Sequence, residues 1–267
     1  MSSSRVTLKT LRDLYESGTP ITMLTAYDAT FARLFDEAGV DTLLVGDSLG
    51  NVVQGHDSTL PVTLDHVIYH CAAVRRGCRR AHIVADLPFL SYGAGLESSI
   101  HNAGRLMKEG GAESVKLEGG REFAELIHRL VRIGIPVLGH LGLTPQSVHT
   151  LGGYRVQGRT EEDVKRMIED AQILEEAGAW GVVLEMVPAE AAQRVTDAVS
   201  IPTIGIGAGR GTSGQVLVGY DMLGLNDGFK PRFLKHYADH GASARDAVRA
   251  FCDEVRTRAY PDDDHSF

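Results

Sequence analysis

Eight short runs rich in Val, Ile and Leu alternate along this chain with amphipathic stretches of helical length. Such alternation is typical of βα units, whose strands lie side by side in a parallel sheet. We predict strands at residues 21–27, 42–46, 82–86, 114–118, 136–140, 181–187, 202–206 and 216–220. Eight units within 267 residues indicate an α/β fold, a closed (β/α)8 TIM barrel, with an open doubly wound sheet as the alternative.

The helices between these strands carry recognisable start signals. Asp28 is suited to cap a helix that runs to Gly39, and Thr160 with Asp163 has the spacing of a capping box. We predict a helix after each of the first seven strands and a long last helix over residues 242–258. No linker rich in Pro, Gly or Ser divides the sequence, so we expect a single barrel domain over residues 1–267.

Charge and cysteine content argue against several classes of protein. The net charge is −8 and the lysines and arginines are scattered, so we expect no nucleic-acid partner. The three cysteines lack metal-ligand spacing, and the N-terminus lacks the apolar core of a signal peptide, which together favour a reducing cytoplasm. No apolar stretch is long enough to cross a bilayer, so we expect no membrane partner and a small-molecule ligand.

Acidic residues stand at the ends of three predicted strands. Asp47, Asp86 and Glu118 follow runs that a barrel would bring together at its carboxyl end. Each acid on its own could instead cap a helix, hold a turn or be solvated. Three carboxylates crowded together would repel one another unless a cation neutralised them, and oxygen ligands select a hard ion such as Mg²⁺ over zinc.

Two basic residues also lie near the carboxyl ends of predicted strands. Lys116 precedes Glu118 by two positions, so strand alternation turns both side chains inward, where the lysine can anchor an anionic substrate. A Schiff-base lysine is the alternative, which neighbouring acids oppose because they keep the amine protonated. His140 ends the fifth predicted strand and is either a substrate hydrogen-bonding group or a structurally satisfied histidine.

Glu185 lies within the apolar run Val182-Val183-Leu184-Glu185-Met186-Val187. Burial would raise its pKa toward the range in which a carboxylate acts as a general base near neutral pH. A structural carboxylate paired with backbone amides or an arginine is the alternative.

Longer motifs carry a family resemblance. They are residues 25–28 (TAYD), 45–50 (VGDSLG), 54–63 (QGHDSTLPVT), 85–89 (ADLPF), 115–120 (VKLEGG), 139–147 (GHLGLTPQS) and 205–209 (GIGAG). In content and order the sequence resembles the ketopantoate hydroxymethyltransferase family across almost the whole chain.

The resemblance implies a (β/α)8 barrel that transfers a one-carbon unit from 5,10-methylenetetrahydrofolate to 3-methyl-2-oxobutanoate and yields 2-dehydropantoate. It implies Mg²⁺ held by Asp47, Asp86 and Glu118, directly or through water, with Glu185 as the base. It also implies a homo-oligomer, often a decamer. The residues expected to contact the keto acid are Asp47, Ser48, Asp86, Lys116 and His140.

Two other functions stay open on the sequence. One is another Mg²⁺-dependent carbon–carbon bond enzyme of the phosphoenolpyruvate mutase and isocitrate lyase kind, whose barrels also bind keto acids. The other is a non-catalytic keto-acid sensor, which would keep the ligand site but would need no base. The presence of Glu185 favours an enzyme.

Overall fold

The computed structural model describes residues 4–226, 228 and 230–267. By contacts the chain forms two compact units, Met1–Val218 and Gly219–Phe267, and the first contains every strand of the barrel. The expectation that residues 1–267 make a single domain therefore stays a prediction.

All eight strands close into one parallel barrel in sequence order, with β8 pairing back onto β1. The closed sheet confirms the predicted barrel and shows the doubly wound alternative to be wrong. The strands are β1 Ile21–Thr25, β2 Thr42–Val45, β3 His82–Asp86, β4 Ser114–Lys116, β5 Val137–Gly142, β6 Gly181–Glu185, β7 Thr203–Ile206 and β8 Gly214–Leu217.

Most strands are shorter than the sequence predicts. Pro136 and Pro202 lie outside β5 and β7, because proline has no N–H to donate to the ladder. The predicted strand at 216–220 is displaced: β8 begins at Gly214, and Tyr220 belongs to the short helix Gly219–Met222.

The first unit contains nine α-helices among its described residues. They are α1 Leu8–Glu16, α2 Ala29–Glu37, α3 Leu49–Val52, α4 Leu64–Gly77, α5 Leu96–Lys108, α6 Ala124–Arg132, α7 Val148–Leu151, α8 Glu161–Glu176 and α9 Ala189–Asp197. Asp28 accepts hydrogen bonds from the Thr30 and Phe31 amides, and Thr160 with Asp163 forms a capping box, as predicted.

The helix predicted after the seventh strand is absent from the described residues 207–213, which join β7 directly to β8. Gly207 and Gly209 have φ values of 61° and 77° there. Such left-handed positions turn the chain and do not continue a helix. The sequence also gave no indication of α1.

Inward-facing strand residues fill the barrel. The apolar cluster includes Leu44, Val84, Leu138, Val183 and Ile204, one from each of five strands. Val6 and Leu11 join the same cluster, so α1 and the residues before it add to the packing of the barrel interior. This packed interior leaves the strand ends as the place where polar side chains can gather.

The second unit contains α10 Gly219–Met222 and α11 His240–Thr257, followed by a short 3₁₀ turn at Asp263–His265. The predicted last helix at 242–258 is confirmed and begins two residues earlier. Asp239 caps it, with its carboxylate accepting from the Ala242 amide. None of the described helices combines the length and apolar character that a membrane span requires.

Asp36 of α2 fixes the chain just before β3. Its buried carboxylate accepts hydrogen bonds from the amides of Arg79, Arg80 and Ala81 at 2.9, 3.0 and 2.6 Å. Burial alone would favour the neutral acid, but these amides outweigh it and lower the pKa of Asp36. Because Asp86 ends β3, this contact sets the start of a strand that carries a candidate site residue.

We expect Asp36→Ala to lower the free energy of unfolding by about 3 kcal/mol at pH 7, because one buried and two part-buried amides lose a charged acceptor. The lowered pKa means that this stabilisation is present above about pH 4 and is lost as the pH falls further. Urea unfolding followed by circular dichroism measures the change. Glu37→Ala, at an exposed neighbour, is the matched control. Equal unfolding midpoints for the two variants would contradict this role.

Candidate active site

Asp47 and Asp86 meet at the carboxyl ends of β2 and β3. The Asp47 amide donates to Asp86 Oδ2 at 3.0 Å, and both side chains are buried. The close approach depends on Gly46, because a Cβ there would lie 2.9 Å from Ser48 Oγ and 3.3 Å from Asp86 Oδ2. Strand pairing between β2 and β3 thus brings two of the predicted acids together.

Lys116 pairs with Asp86 in the register of β3 and β4. Its Nζ lies 2.8 Å from Asp86 Oδ1, and both side chains are almost inaccessible to solvent. Burial favours the neutral amine, but the charges of Asp86 and Glu118 outweigh it and raise the pKa of Lys116 above its ordinary value. The ammonium form is suited to anchor an anion and unsuited to nucleophilic attack.

His140 connects the acid cluster to Glu185. Its Nδ1 lies 3.5 Å from Glu118 Oε1, and its Nε2 lies 3.2 Å from Glu185 Oε2. Burial and the charge of Lys116 oppose protonation, but the contacts with the two carboxylates prevail and raise the pKa of His140 to about 9. An imidazolium is a donor and not a base at neutral pH.

Glu185 is the last residue of β6, and three backbone hydrogen bonds hold Glu185 and the residue after it. Its carbonyl accepts from the Leu143 amide, and the following residue, Met186, bonds to Ile206 and to Gln157. Gly142 makes the first contact possible, because a Cβ there would overlap the Glu185 carbonyl. With 21% of its side chain exposed, Glu185 is more open than the acids around Lys116.

Negative charge exceeds positive charge among the innermost residues. Burial, together with the charges of Asp86 and Glu118, raises the pKa of Asp47 well above its ordinary value. Lys116 and a hydrogen bond from Gln146 oppose that shift without cancelling it. An additional positive charge beside Asp47 would therefore be stabilised.

Ser48 immediately precedes α3 and contacts a buried aromatic side chain. Its Oγ lies 2.8 Å from the Tyr27 hydroxyl, and Tyr27 is only 1% exposed. The Tyr27 carbonyl in turn contacts His70 Nδ1 at 2.7 Å. The position of the Ser48 hydroxyl is therefore set by Tyr27, in the segment after β1.

Two further side chains belong to the site and were missed from the sequence. Gln146 donates to Asp47 Oδ2 at 2.8 Å, and Tyr92 donates to Gln146 Oε1 at 2.8 Å. Gln146 lies in the motif 139–147, which could have pointed to it. Tyr92 lies in a loop after β3 and carried no sequence signal.

The carboxylates of Asp47 and Asp86 point at hydrogen-bond donors of the protein. Within residues 4–226, 228 and 230–267, no three His, Cys, Asp or Glu side chains form a ready metal-binding group. Asp86 Oδ1 faces Lys116 and Asp47 Oδ2 faces Gln146. The oxygen donors and the uncompensated charge nevertheless suit a hard cation, which would have to compete with these contacts.

The seven residues singled out from the sequence thus lie at one end of the barrel. Contacts link six of them directly: Asp47, Asp86, Lys116, Glu118, His140 and Glu185. Ser48 is the neighbour of Asp47 in the chain. Their proximity supports a common site, while their individual roles remain predictions.

Comparison with known proteins places the chain in a family. A curated relative from Anaeromyxobacter sp. (strain Fw109-5), 3-methyl-2-oxobutanoate hydroxymethyltransferase, is 55% identical over 98% of this chain and 88% of its own length. The structure resembles 2,3-dimethylmalate lyase, a PEP mutase/isocitrate lyase superfamily member, with a TM-score of 0.60, 17% identity and coverage of 97% and 91% of the two chains.

It also resembles phosphonopyruvate hydrolase in complex with oxalate and Mg²⁺, with a TM-score of 0.62 and 14% identity over 97% of this chain and 92% of the other. At these identities the two structures support the barrel fold alone. The model of the ketopantoate hydroxymethyltransferase family matches residues 5–263. Together with the 55% identity to a curated relative, that match shows that the chain belongs to the ketopantoate hydroxymethyltransferase family.

Proposed function

We propose that the chain transfers a hydroxymethyl group from 5,10-methylenetetrahydrofolate to 3-methyl-2-oxobutanoate and yields 2-dehydropantoate. Family membership supports the reaction class. The observation that carries the proposal is the path of contacts from Asp86 through Lys116 and His140 to Glu185. The path brings the Lys116 ammonium and the partly exposed Glu185 carboxylate to the same end of the barrel, which supports an anion anchor and a base for proton abstraction from a keto acid.

Asp47, Asp86 and Glu118 are the residues that would hold a divalent cation, Mg²⁺ by preference. Their oxygen donors match a hard ion, and the raised pKa of Asp47 indicates that a positive charge would be stabilised beside it. When bound, such an ion supplies a Lewis acid that stabilises negative charge on the keto acid's oxygens.

Lys116 and Ser48 orient the substrate in this proposal. The Lys116 ammonium attracts the carboxylate of the keto acid, and the Ser48 hydroxyl, held by Tyr27, offers a hydrogen bond at the neighbouring strand end. His140, protonated and in contact with Glu185 Oε2, holds the base and does not compete with it.

Glu185 removes the proton from C3 of 3-methyl-2-oxobutanoate. The electron pair of the broken C–H bond then forms the new bond to the one-carbon unit of the folate. That carbon exchanges its two C–N bonds to the folate for this C–C bond and a C–O bond to water. Tetrahydrofolate leaves with a proton on each freed nitrogen, one originating from C3 and one from the water. The His140 ring, whose Nε2 lies 3.2 Å from Glu185 Oε2, holds this carboxylate in position.

Several finer features stay proposals. They are assembly into a homo-oligomer, in this family often a decamer, and a place in the cytoplasm. The mutase or lyase reaction and the keto-acid sensor are outcomes that the following experiments would reveal.

We expect the purified protein to convert 3-methyl-2-oxobutanoate and methylenetetrahydrofolate to 2-dehydropantoate, detected by mass spectrometry. Chelation should abolish turnover and Mg²⁺ should restore it, because the cation compensates the buried acids. Undiminished turnover in metal-free protein would contradict the cation's role. Keto-acid binding without any product would favour a sensor, and cleavage of a substrate carbon–carbon bond would favour a lyase.

Glu185→Gln should keep keto-acid binding but slow exchange of the C3 hydrogen by about 10²–10⁴-fold, because an amide cannot accept the proton. The assay is folate-free exchange into deuterated water followed by NMR, with a thermal melt to verify folding. Glu190→Gln, in the first turn of α9, is the control. Wild-type exchange in a folded Glu185→Gln protein would assign the base elsewhere.

Lys116→Ala should raise KM for the keto acid far more than it lowers kcat, because the anion loses its ammonium partner. Treatment of wild-type protein and substrate with borohydride should leave the protein mass unchanged, since the protonated amine does not form a Schiff base. Lys165→Ala, at an exposed position of α8, is the control. A stable adduct at Lys116 would show that the Schiff-base alternative is correct.

A further inference from the structure

Gln146 is a buried amide that contacts two of the three acids. Its Nε2 donates to Asp47 Oδ2 at 2.8 Å and to the Leu87 carbonyl at 3.0 Å. Its backbone N–H donates to Glu118 Oε2 at 3.0 Å. The side chain is 7% exposed and lies in a 3₁₀ turn at Pro145–Ser147, just after β5. One residue thus constrains carboxylates that come from β2 and from the segment after β4.

The surroundings fix the orientation of this amide. Both hydrogens of Nε2 have acceptors, Asp47 Oδ2 and the Leu87 carbonyl. A flipped amide would point its oxygen at a carboxylate and a carbonyl, which would repel it. The remaining atom, Oε1, accepts from the Tyr92 hydroxyl at 2.8 Å. Each polar atom of the side-chain amide thus has a partner in this orientation.

Tyr92 holds the amide in place. Its hydroxyl also accepts from the Glu118 amide at 3.1 Å, and its ring packs against Phe123 with centroids 5.0 Å apart. Burial and the charge of Glu118 raise the pKa of Tyr92, so the hydroxyl keeps the proton that it donates. Tyr92 therefore connects Gln146 to the backbone of Glu118, whose side chain Gln146 also contacts.

The consequence concerns the oxygens of Asp47. Gln146 occupies Oδ2, and within the described part of the chain Oδ1 accepts no hydrogen bond from another residue. A carboxylate held in this way offers a cation one oxygen. Mg²⁺ requires near-octahedral geometry with single-oxygen ligands, whereas Ca²⁺ also accepts carboxylates through both oxygens.

We propose that Gln146, held by Tyr92, is a positioning residue that limits Asp47 to one ligating oxygen and so selects Mg²⁺ over larger divalent ions. The inference rests on the proposed cation site. It assigns to the amide a role in ion selectivity that goes beyond keeping the loop folded.

The test uses the full chain, freed of metal, and measures Mg²⁺ and Ca²⁺ affinity by isothermal titration calorimetry, with and without 3-methyl-2-oxobutanoate. Gln146→Met keeps the length of the side chain but removes its hydrogen bonds. It should weaken Mg²⁺ binding by about 10- to 100-fold and Ca²⁺ binding much less. Tyr92→Phe keeps the ring packing and should shift the ratio of affinities in the same direction by a smaller factor.

Gln172→Met is the matched control, because that amide lies on α8 and, within the described part of the chain, donates to the Ala198 carbonyl alone. Thermal melts report the folding of each variant. If the ratio of Mg²⁺ affinity to Ca²⁺ affinity is unchanged in both Gln146→Met and Tyr92→Phe, including the case in which both affinities fall equally, the positioning role alone would be overturned. Wild-type protein that binds neither ion under either condition would overturn the cation site as well.

Discussion

Burial of like charges at one end of the barrel is the constraint on which the rest of the site depends. Asp47, Asp86 and Glu118 are each no more than 4% exposed, and the packed strands prevent them from moving apart. Buried charges without partners cost several kcal/mol each, on the order of the whole stability of a domain. The fold meets this cost with Lys116, His140 and the amides of Asp47 and Gln146, each aimed at a particular oxygen.

The buried acids also determine the protonation of the basic residues beside them. The surrounding acids keep Lys116 and His140 protonated, so neither is suited to accept a proton from a substrate near neutral pH. Glu185 lies at the edge of the cluster, with part of its side chain exposed, and among the described residues its charged contact is His140. Different surroundings thus distinguish the proposed anchor Lys116, the proposed positioning cation His140 and the proposed base Glu185, a pattern known from enzymes that run acid and base steps with few residue types.

The sequence was sufficient to predict the barrel and the gathering of Asp47, Asp86 and Glu118, because parallel strands in a barrel all end on one face. It could not predict Gln146, since its bond to Asp47 joins residues 99 positions apart and depends on the path of the loop after β5. The prediction of a helix after β7 was wrong for a local reason. Two left-handed glycines, Gly207 and Gly209, turn the chain directly into β8.

Backbone strain at Met186, the residue after Glu185, shows how the fold and the site depend on each other. Met186 has φ of 50°, a conformation that costs a non-glycine residue on the order of 1 kcal/mol or more. Hydrogen bonds hold it from both sides, its amide donating to Ile206 and its carbonyl accepting from Gln157. Gly142 lets β5 approach the Glu185 carbonyl, where any side chain would collide. Hydrogen bonds from three separate segments thus hold the backbone of the proposed base, although its side chain is only partly buried. The strained conformation of Met186 lowers the free energy of unfolding of the barrel, and the barrel's other contacts offset that loss.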